Sequence, residues 1–234
     1  MGFPILLYLI LGVSILLIVL LIRRRSRIFR NLEFERMEAS LGPSADPDSP
    51  VPFGYKCAWY AVSSEDTIDV VKEAGLKKFK KSTWAFGIEK AYEDKIFISP
   101  PVQGWTFIVG FTLAPKSEGS PEEEISPLLT KLSSLYGTAC FFATHRVVEY
   151  HTWAKAENGD VTRAFAYIGE IGEIVWDIGA ATDAEIDIRT GFTEDAVMQV
   201  ADGWSVSPVS LHSGMAQPSL GYLGDSLKPN LQFA

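Results

Sequence analysis

His145, Glu149 and His151 are the residues near the middle of the chain whose types and spacing suggest chemistry. Two imidazoles and a carboxylate can hold zinc and leave a position open for water. If residues 145–151 formed one unbroken strand, period-two alternation would place all three on one face. The two histidines would then lie about 20 Å apart, too far for one metal ion unless the chain turns between them. The spacing therefore favours polar residues on a sheet face, and we expect no metal or cofactor.

Cys57 and Cys140 are the two cysteines, and both lie in apolar, strand-like runs. A nucleophilic Cys140 would need His145 or His151 as its base, but buried free thiols in a reducing cytoplasm explain both residues. They would pair only if the fold brought their strands together. The chain has no G-x-S-x-G elbow, P-loop or G-x-G-x-x-G motif. A hydrolase that uses His145, Glu149 or His151 therefore stays an alternative to a protein without catalysis.

Three residues are candidates for contact with a partner. Most of the six tryptophans are expected in the core, but Trp105 and Trp204 each follow a glycine and should lie at loop junctions, where tryptophan often contributes to binding. Arg163 follows the Asn158-Gly159 dipeptide, a strong hairpin signal. In a ladder centred on that turn, paired residue numbers sum to about 317, which places Arg163 opposite Ala154. An ion pair with a nearby glutamate is the structural alternative for Arg163.

The charges are distributed unevenly along the chain. The first 31 residues hold five arginines and no acid, which leaves 16 basic and 29 acidic residues in the rest, a net charge of −13. An acidic body repels phosphate backbones, so nucleic-acid binding is not expected. Basic proteins or cationic ligands would be attracted instead.

Residues 3–22 form an uncharged apolar run that predicts a single transmembrane helix. Twenty helical residues span roughly 30 Å, the thickness of the hydrocarbon core of a bilayer. Basic residues tend to stay in the cytoplasm, so the N-terminus should face outward and the rest should be cytoplasmic. The basic residues that follow the run, and that are expected at the membrane surface, are Arg23, Arg24, Arg25, Arg27 and Arg30.

The remaining pattern predicts an α+β fold. It comprises the N-terminal transmembrane helix and a mainly antiparallel, meandering sheet of seven or eight strands, with two or three helices on one side. Residues 83–92 are among the predicted strands, and 193–203 are predicted to be a short capped helix. The predicted divisions are an anchor with its basic collar, 1–30; a juxtamembrane helix and Pro-rich linker, 31–54; a globular domain, 55–204; and a loosely ordered tail, 205–234.

Three segments carry a resemblance to a known group of proteins: PPVQGWTFIVG (100–110), the run from HRVVEYHTWAKAENG to RAFAYIGE (145–170), and VMQVADGWSVSP (197–208). On these residues the chain resembles an uncharacterised family of bacterial membrane-anchored proteins, over most of the folded domain. The resemblance implies a bacterial inner-membrane setting and no catalytic residues. Proteins of this general kind often look like immunity or interaction modules.

The sequence thus favours a membrane-tethered cytoplasmic binding domain, of the kind that an immunity protein would use to neutralise a basic partner. Its expected partners are the bilayer, through residues 3–22, and a basic protein. The alternatives are the hydrolase described above and a structural subunit of a membrane complex, in which the transmembrane helix is itself the interface.

Overall fold

The structure, a computed structural model, describes residues 46–115, 119–186, 188 and 191–227. All of them belong to residues 45–234, the second of the two units into which the chain divides. The predicted anchor, 3–22, and the arginines after it lie outside the described residues. Within the described ranges, no helix has the length and apolar character needed to span a bilayer.

A single antiparallel sheet of nine strands organises the described residues. The strands lie side by side in the order β2-β9-β3-β4-β1-β5-β6-β7-β8. The α+β class and the antiparallel sheet are confirmed. The predicted count of seven or eight strands is too low, and only the last four strands in this order form a meander. In chain order the strands are β1 Ala58–Val62, β2 Lys80–Ser82, β3 Ile96–Ile98, β4 Thr106–Val109, β5 Thr138–His145, β6 Tyr150–Glu157, β7 Asp160–Ile168, β8 Glu173–Ile178 and β9 Gly221–Gly224.

Four α-helices within the described residues cover both faces of this sheet, so the expectation of helices on one side is wrong. The helices are α1 Thr67–Ala74, α2 Trp84–Ala91, α3 Pro121–Tyr136 and α4 Glu194–Trp204. The reason lies in the central strands, which are apolar at successive positions. Phe142 of β5 packs towards Trp204 of α4, with ring centroids 5.9 Å apart. Its neighbour Phe141 points the other way and packs on Tyr60, whose hydroxyl donates to the carbonyl of Ile125 in α3.

Residues 84–91 form helix α2, although their aromatic and β-branched content predicts a strand. The Thr83 hydroxyl caps the helix by accepting from the backbone N–H of Phe86. Buried positions fall at Trp84, Gly87, Ile88 and Ala91, a helical spacing that composition alone conceals. Tertiary packing of this stripe therefore outweighs local strand propensity.

Gly87 gives a direct test of how closely α2 approaches the sheet. A Cβ atom at this position would lie 2.2 Å from Cδ2 of Phe97. Alanine normally stabilises a helix interior relative to glycine, but here we expect Gly87→Ala to lower the free energy of unfolding by about 1–3 kcal/mol through overpacking. Chemical denaturation measures the change. The control is Gly191→Ala, whose Cβ atom would meet no atom of the described residues closer than 3.7 Å. A stabilised Gly87→Ala variant would contradict this packing.

The predicted linker and tail both contribute to the folded domain. Phe53, from the predicted linker, is buried and packs edge-on against Trp59 and Phe107. Residues 205–227 are also structured, since Leu211 is buried and β9 lies between β2 and β3. The small-residue content that predicts a loose tail has another cause: a Cβ atom on Gly221 would lie 2.4 Å from the carbonyl oxygen of Ile98. The glycines of β9 are therefore required by close strand packing.

The β6–β7 hairpin turns at the Asn158-Gly159 dipeptide, as predicted. Both residues have positive φ, 52° and 99°, which suits a tight hairpin turn. Next to the turn the predicted register holds, with Ala156 opposite Val161. A bulge between Lys155 and Ala156 then shifts the ladder by one residue, so Arg163 lies opposite Lys155 and not Ala154.

Candidate functional site

The turn between β5 and β6 separates His145 from His151, the two histidines of the predicted cluster. His145 ends β5, residues 146–149 form the turn, and β6 begins at Tyr150. Thr144 pairs with His151, and His145 pairs with Tyr150. Because successive residues of a strand point to opposite faces, His145 faces the α3 side and His151 the α4 side. The condition of one unbroken strand is therefore not met, and His145 and His151 do not share one face.

His151 and Glu149 nevertheless meet in a cleft on the α4 side of the sheet. The cleft has a volume of about 640 Å³ and lies where the β5–β6 turn faces the beginning of α4. Three kinds of side chain line it: acidic, basic or imidazole, and aromatic. The main ones are Glu149, Glu194 and Asp195; Arg146 and His151; and Tyr55, Tyr167 and Phe192.

His151 forms the floor of the cleft, and its protonation state follows from its neighbours. The Thr144 hydroxyl lies 3.1 Å from His151 Nδ1 and donates to Oε1 of Glu194, also at 3.1 Å. A carboxylate only accepts, so the single hydroxyl proton goes to Glu194 and the oxygen must accept from Nδ1–H. The imidazole therefore carries its proton on Nδ1. Its Nε2 is an acceptor, and no residue that the structure describes donates to it.

Burial keeps the imidazole neutral. His151 is only 4% exposed, and this desolvation lowers its pKa, although the charges of Glu194 and Glu149 act in the opposite direction. At neutral pH the ring is thus an uncharged hydrogen-bond acceptor. Protonation would convert Nε2 into a donor and place a positive charge on the floor of the cleft.

Helix α4 supplies two of the carboxylates because it begins at the cleft. Thr193 caps the helix by accepting from the N–H of Ala196, and Glu194 and Asp195 follow in the first turn. Oδ1 of Asp195 accepts from the Tyr55 hydroxyl at 2.9 Å, and this hydrogen bond is the main reason that the pKa of Tyr55 is raised. The carboxylates are therefore held by protein donors at the edge of the cleft.

Glu149 completes the acidic wall and has an unusual backbone conformation. Its φ is +51°, a left-handed value that few non-glycine residues adopt. Its carbonyl accepts from the N–H of Gly169 at 3.0 Å, and its side chain lies against the same glycine, where a Cβ atom would be 2.2 Å from Glu149 Oε2. Strained residues of this kind concentrate at functional sites. The turn and Gly169 together place the Glu149 carboxylate at the cleft.

The polar groups of the cleft are thus mainly acceptors. Three carboxylates face one guanidinium, that of Arg146, and the neutral His151 adds a further lone pair. Aromatic rings close one side: Phe192 lies 4.8 Å from Tyr167 and 4.6 Å from Phe165, measured between ring centroids. Carboxylates beside aromatic faces attract ammonium and guanidinium groups. The arrangement suits a cation that donates several hydrogen bonds.

Arg163 and Trp204, predicted as contact residues, are buried parts of one internal network. Arg163 is 6% exposed and binds Glu185, itself 7% exposed, with Nε–O distances of 2.9 and 3.1 Å. The indole N–H of Trp204 donates to Thr182, which in turn donates to Glu185. Burial on its own would raise the pKa of Glu185, but its hydrogen bonds, first of all those from Arg163, outweigh burial and lower it. This network holds α4 and β7 together behind the cleft.

The remaining sequence candidates lie elsewhere. Trp105 is half-buried against the core, in a tight turn with Val102.

Cys57 and Cys140 are free, and burial raises the pKa of each to about 12, so both remain unreactive thiols. Cys140 lies opposite Ala61, four residues along β1 from Cys57, which is too far for a disulfide. No group of three His, Cys, Asp or Glu side chains within the described ranges is arranged to hold a metal ion.

Comparison of the chain with protein-family models, curated proteins and solved structures found no match. The site must therefore be interpreted from its own geometry. The family resemblance and the inner-membrane setting stay predictions.

The protonation of His151 gives a testable pH dependence. Its folded-state pKa lies below the ordinary 6.5, so the unfolded chain binds more protons and the free energy of unfolding should fall as pH drops through 6.5. Denaturation midpoints between pH 7.5 and 5.5 measure this slope. We expect His151→Gln to flatten it. Equal slopes in the wild type and His151→Gln would contradict the assignment.

Proposed function

We propose that the chain is a membrane-tethered binding module whose cleft takes the lysine or arginine side chain of a basic partner protein. The observation that carries the proposal is the acceptor on His151 Nε2, fixed by Thr144 and Glu194 and lying in a cleft with three carboxylates. An ammonium, with three donors, or a guanidinium, with up to five, can donate to several of these acceptors at once. A neutral donor would satisfy the hydrogen bonds but not the charge.

The shape of the cleft supports a side chain as the ligand. A lysine or arginine has an apolar stem and a charged end. The stem would lie along Tyr167 and Phe192, while the charged end reaches Glu149 and Glu194. The net charge of −13 beyond the first 31 residues would steer a basic protein towards this surface and make its association sensitive to salt.

The tether and the biological role extend the proposal. Residues 3–22 would hold the chain in a bacterial inner membrane, with the basic collar and the domain in the cytoplasm. An immunity-type role, in which the domain neutralises a basic toxin, follows from the resemblance of the chain together with its acidic cleft. The structural-subunit alternative differs in its interface: it would depend on the sequence of residues 3–22, and replacement of that run by an unrelated apolar helix would abolish it.

A peptide titration tests the binding function. Isothermal titration of the full chain in micelles with a tetralysine peptide at low salt should show saturable binding that weakens steeply between 50 and 300 mM salt, about the range over which surface charges become screened. Tetraglutamate and a serine-glycine peptide are the controls. Equal affinity for tetralysine and tetraglutamate would contradict the proposal, and so would a lack of binding to tetralysine.

A second candidate function, hydrolysis, is favoured by one observation. The Thr144 hydroxyl, held by the Glu194 carboxylate, fixes the His151 ring through Nδ1. A histidine general base is held in the same way, and Nε2 is then the atom that would deprotonate a water. Cleavage of lysine or arginine esters that is lost in His151→Gln, while tetralysine still binds, would favour this function. None of the described residues that line the cleft is a serine or cysteine, and the Thr193 hydroxyl caps α4. We therefore assign water as the nucleophile of this candidate reaction.

A further inference from the structure

The edge of the sheet formed by β2 has a charge opposite to that of the rest of the domain. β2 is the outermost strand and pairs with β9 alone among the described strands. Four lysines fall within five residues around it, all with exposed side chains: Lys77, Lys78, Lys80 and Lys81. Lys78 is 83% exposed, and its contact with Asp225 is a surface ion pair at 3.6 Å, a kind that is weak and leaves the ammonium accessible.

An exposed aromatic ring lies beside these lysines. Phe86 of α2 is 44% exposed. The Nζ atoms of Lys80 and Lys90 lie 5.9 and 5.6 Å from its ring centroid. Basic residues around an exposed aromatic side chain are typical of surfaces that bind the headgroup region of a membrane. Lysines on an edge strand also prevent sheets from joining edge to edge, but that role does not require Phe86.

The path of the chain adds a second, independent observation. The carboxylate of Asp48 accepts from the backbone N–H groups of Trp84 and Ala85 at the beginning of α2. The carbonyl of Asp48 accepts from Ser219, just before β9, and Gly221 of β9 pairs with Ser82 of β2. Asp48, near the start of the described residues, therefore lies beside the lysine edge.

The acidic cleft is too distant to oppose an anionic surface at this edge. Six strand spacings separate β2 from β6, which amounts to about 29 Å. Charges are screened over about 8 Å at physiological ionic strength. The nearer acids Asp225, Glu89 and Glu93 are paired with Lys78, Lys95 and Lys90. Among the described residues the edge therefore keeps an excess of lysines even though the domain as a whole is acidic.

We propose that the β2 edge, comprising Lys77, Lys78, Lys80, Lys81 and Phe86, docks on the anionic headgroups of the membrane that holds residues 3–22. This inference rests on the tether of the proposed function. Docking would orient the domain with its β2 edge on the bilayer and its acidic cleft directed away, open to a basic partner.

Lysine labelling of the reconstituted full chain tests the docking. The chain is placed in vesicles of phosphatidylcholine alone or of phosphatidylcholine with phosphatidylglycerol, acetylated briefly, and analysed by mass spectrometry. We expect Lys77, Lys78 and Lys80 to react at least threefold more slowly on anionic vesicles, and high salt to remove the difference. Lys56, exposed just before the central strand β1 and beside Glu194 of the cleft, is the internal control.

Two variants sharpen the outcome. Lys78→Glu/Lys80→Glu should abolish the protection of Lys77 on anionic vesicles, whereas Lys56→Glu should not. Equal labelling on both vesicle types, with the chain still bound to vesicles after a high-salt wash, would overturn the docking and leave the tether standing. Release of the chain by salt or alkaline carbonate from both vesicle types would overturn the tether and the docking together.

Discussion

Replacing Arg163 with methionine is expected to lower the free energy of unfolding by about 3–5 kcal/mol, the usual cost of removing one partner of a buried ion pair. Arg163 contacts Glu185 and also donates to Asp177 and to the carbonyls of Ala164 and Ile178. Without the guanidinium, the Glu185 carboxylate would be left buried and uncompensated. Chemical denaturation monitored by tryptophan fluorescence provides the measurement.

The double variant Arg163→Met/Glu185→Leu separates lost charge pairing from lost packing. We expect it to be less destabilised than Arg163→Met alone, because no buried charge is left without a partner. Recovery should be partial, since Glu185 also accepts from Trp153 and Thr182. If Arg163→Met lowers the free energy of unfolding by less than about 1 kcal/mol, the Arg163–Glu185 ion pair stabilises the fold no more than an exposed ion pair does.

Neutralising two carboxylates of the cleft is expected to weaken tetralysine binding at least tenfold, equivalent to about 1.4 kcal/mol. The variant is Glu149→Gln/Glu194→Gln. Glutamine keeps an oxygen that can accept from Thr144, so the position of His151 is preserved while the charge is lost. Each charged hydrogen bond typically contributes about 1.5–3 kcal/mol. The change should appear mainly as faster dissociation.

Glu122→Gln/Glu123→Gln is the matched control for that experiment. These glutamates are exposed and lie in the first turn of α3, as Glu194 lies in the first turn of α4, and the variant has the same net charge as the cleft variant. We expect its affinity to stay within about twofold of the wild type. Equal weakening in both variants would show that binding follows overall charge and not the cleft.

The parts of the fold that the sequence predicted are those with strong local signals. Asn158-Gly159 marks a hairpin, and Thr193 begins α4. In each case one residue type satisfies a backbone requirement that few others meet. Element boundaries and pairings that depend on such residues can be predicted without tertiary information.

Other parts depend on contacts between residues far apart in sequence. Helix α2 forms because Gly87 approaches Phe97, and β9 lies inside the sheet because Gly221 fits against Ile98. Neither partner can be identified from one sequence. In both segments the composition, aromatic in one and rich in glycine in the other, pointed to a different structure.

The site illustrates the same division. His151 and Glu149 were singled out, but as members of a strand face with His145. The hydrogen bond from Thr144 to Glu194 joins residues 50 positions apart and determines the tautomer of His151. In sequence Glu194 has the appearance of an ordinary first-turn acid of a helix, and only the pairing of Thr144 with His151 brings these groups into one cleft.

In the proposed function, His151 offers a neutral Nε2 acceptor to a cationic ligand. The chain has three histidines, so ¹⁵N-histidine labelling and assignment with His151→Gln isolate the signals of this ring. At pH 7.5 we predict a protonated Nδ1 and an unprotonated Nε2, and a marked shift of the Nε2 resonance when tetralysine is added. A proton on Nε2, or an Nε2 signal that tetralysine leaves unchanged at saturation, would contradict the account.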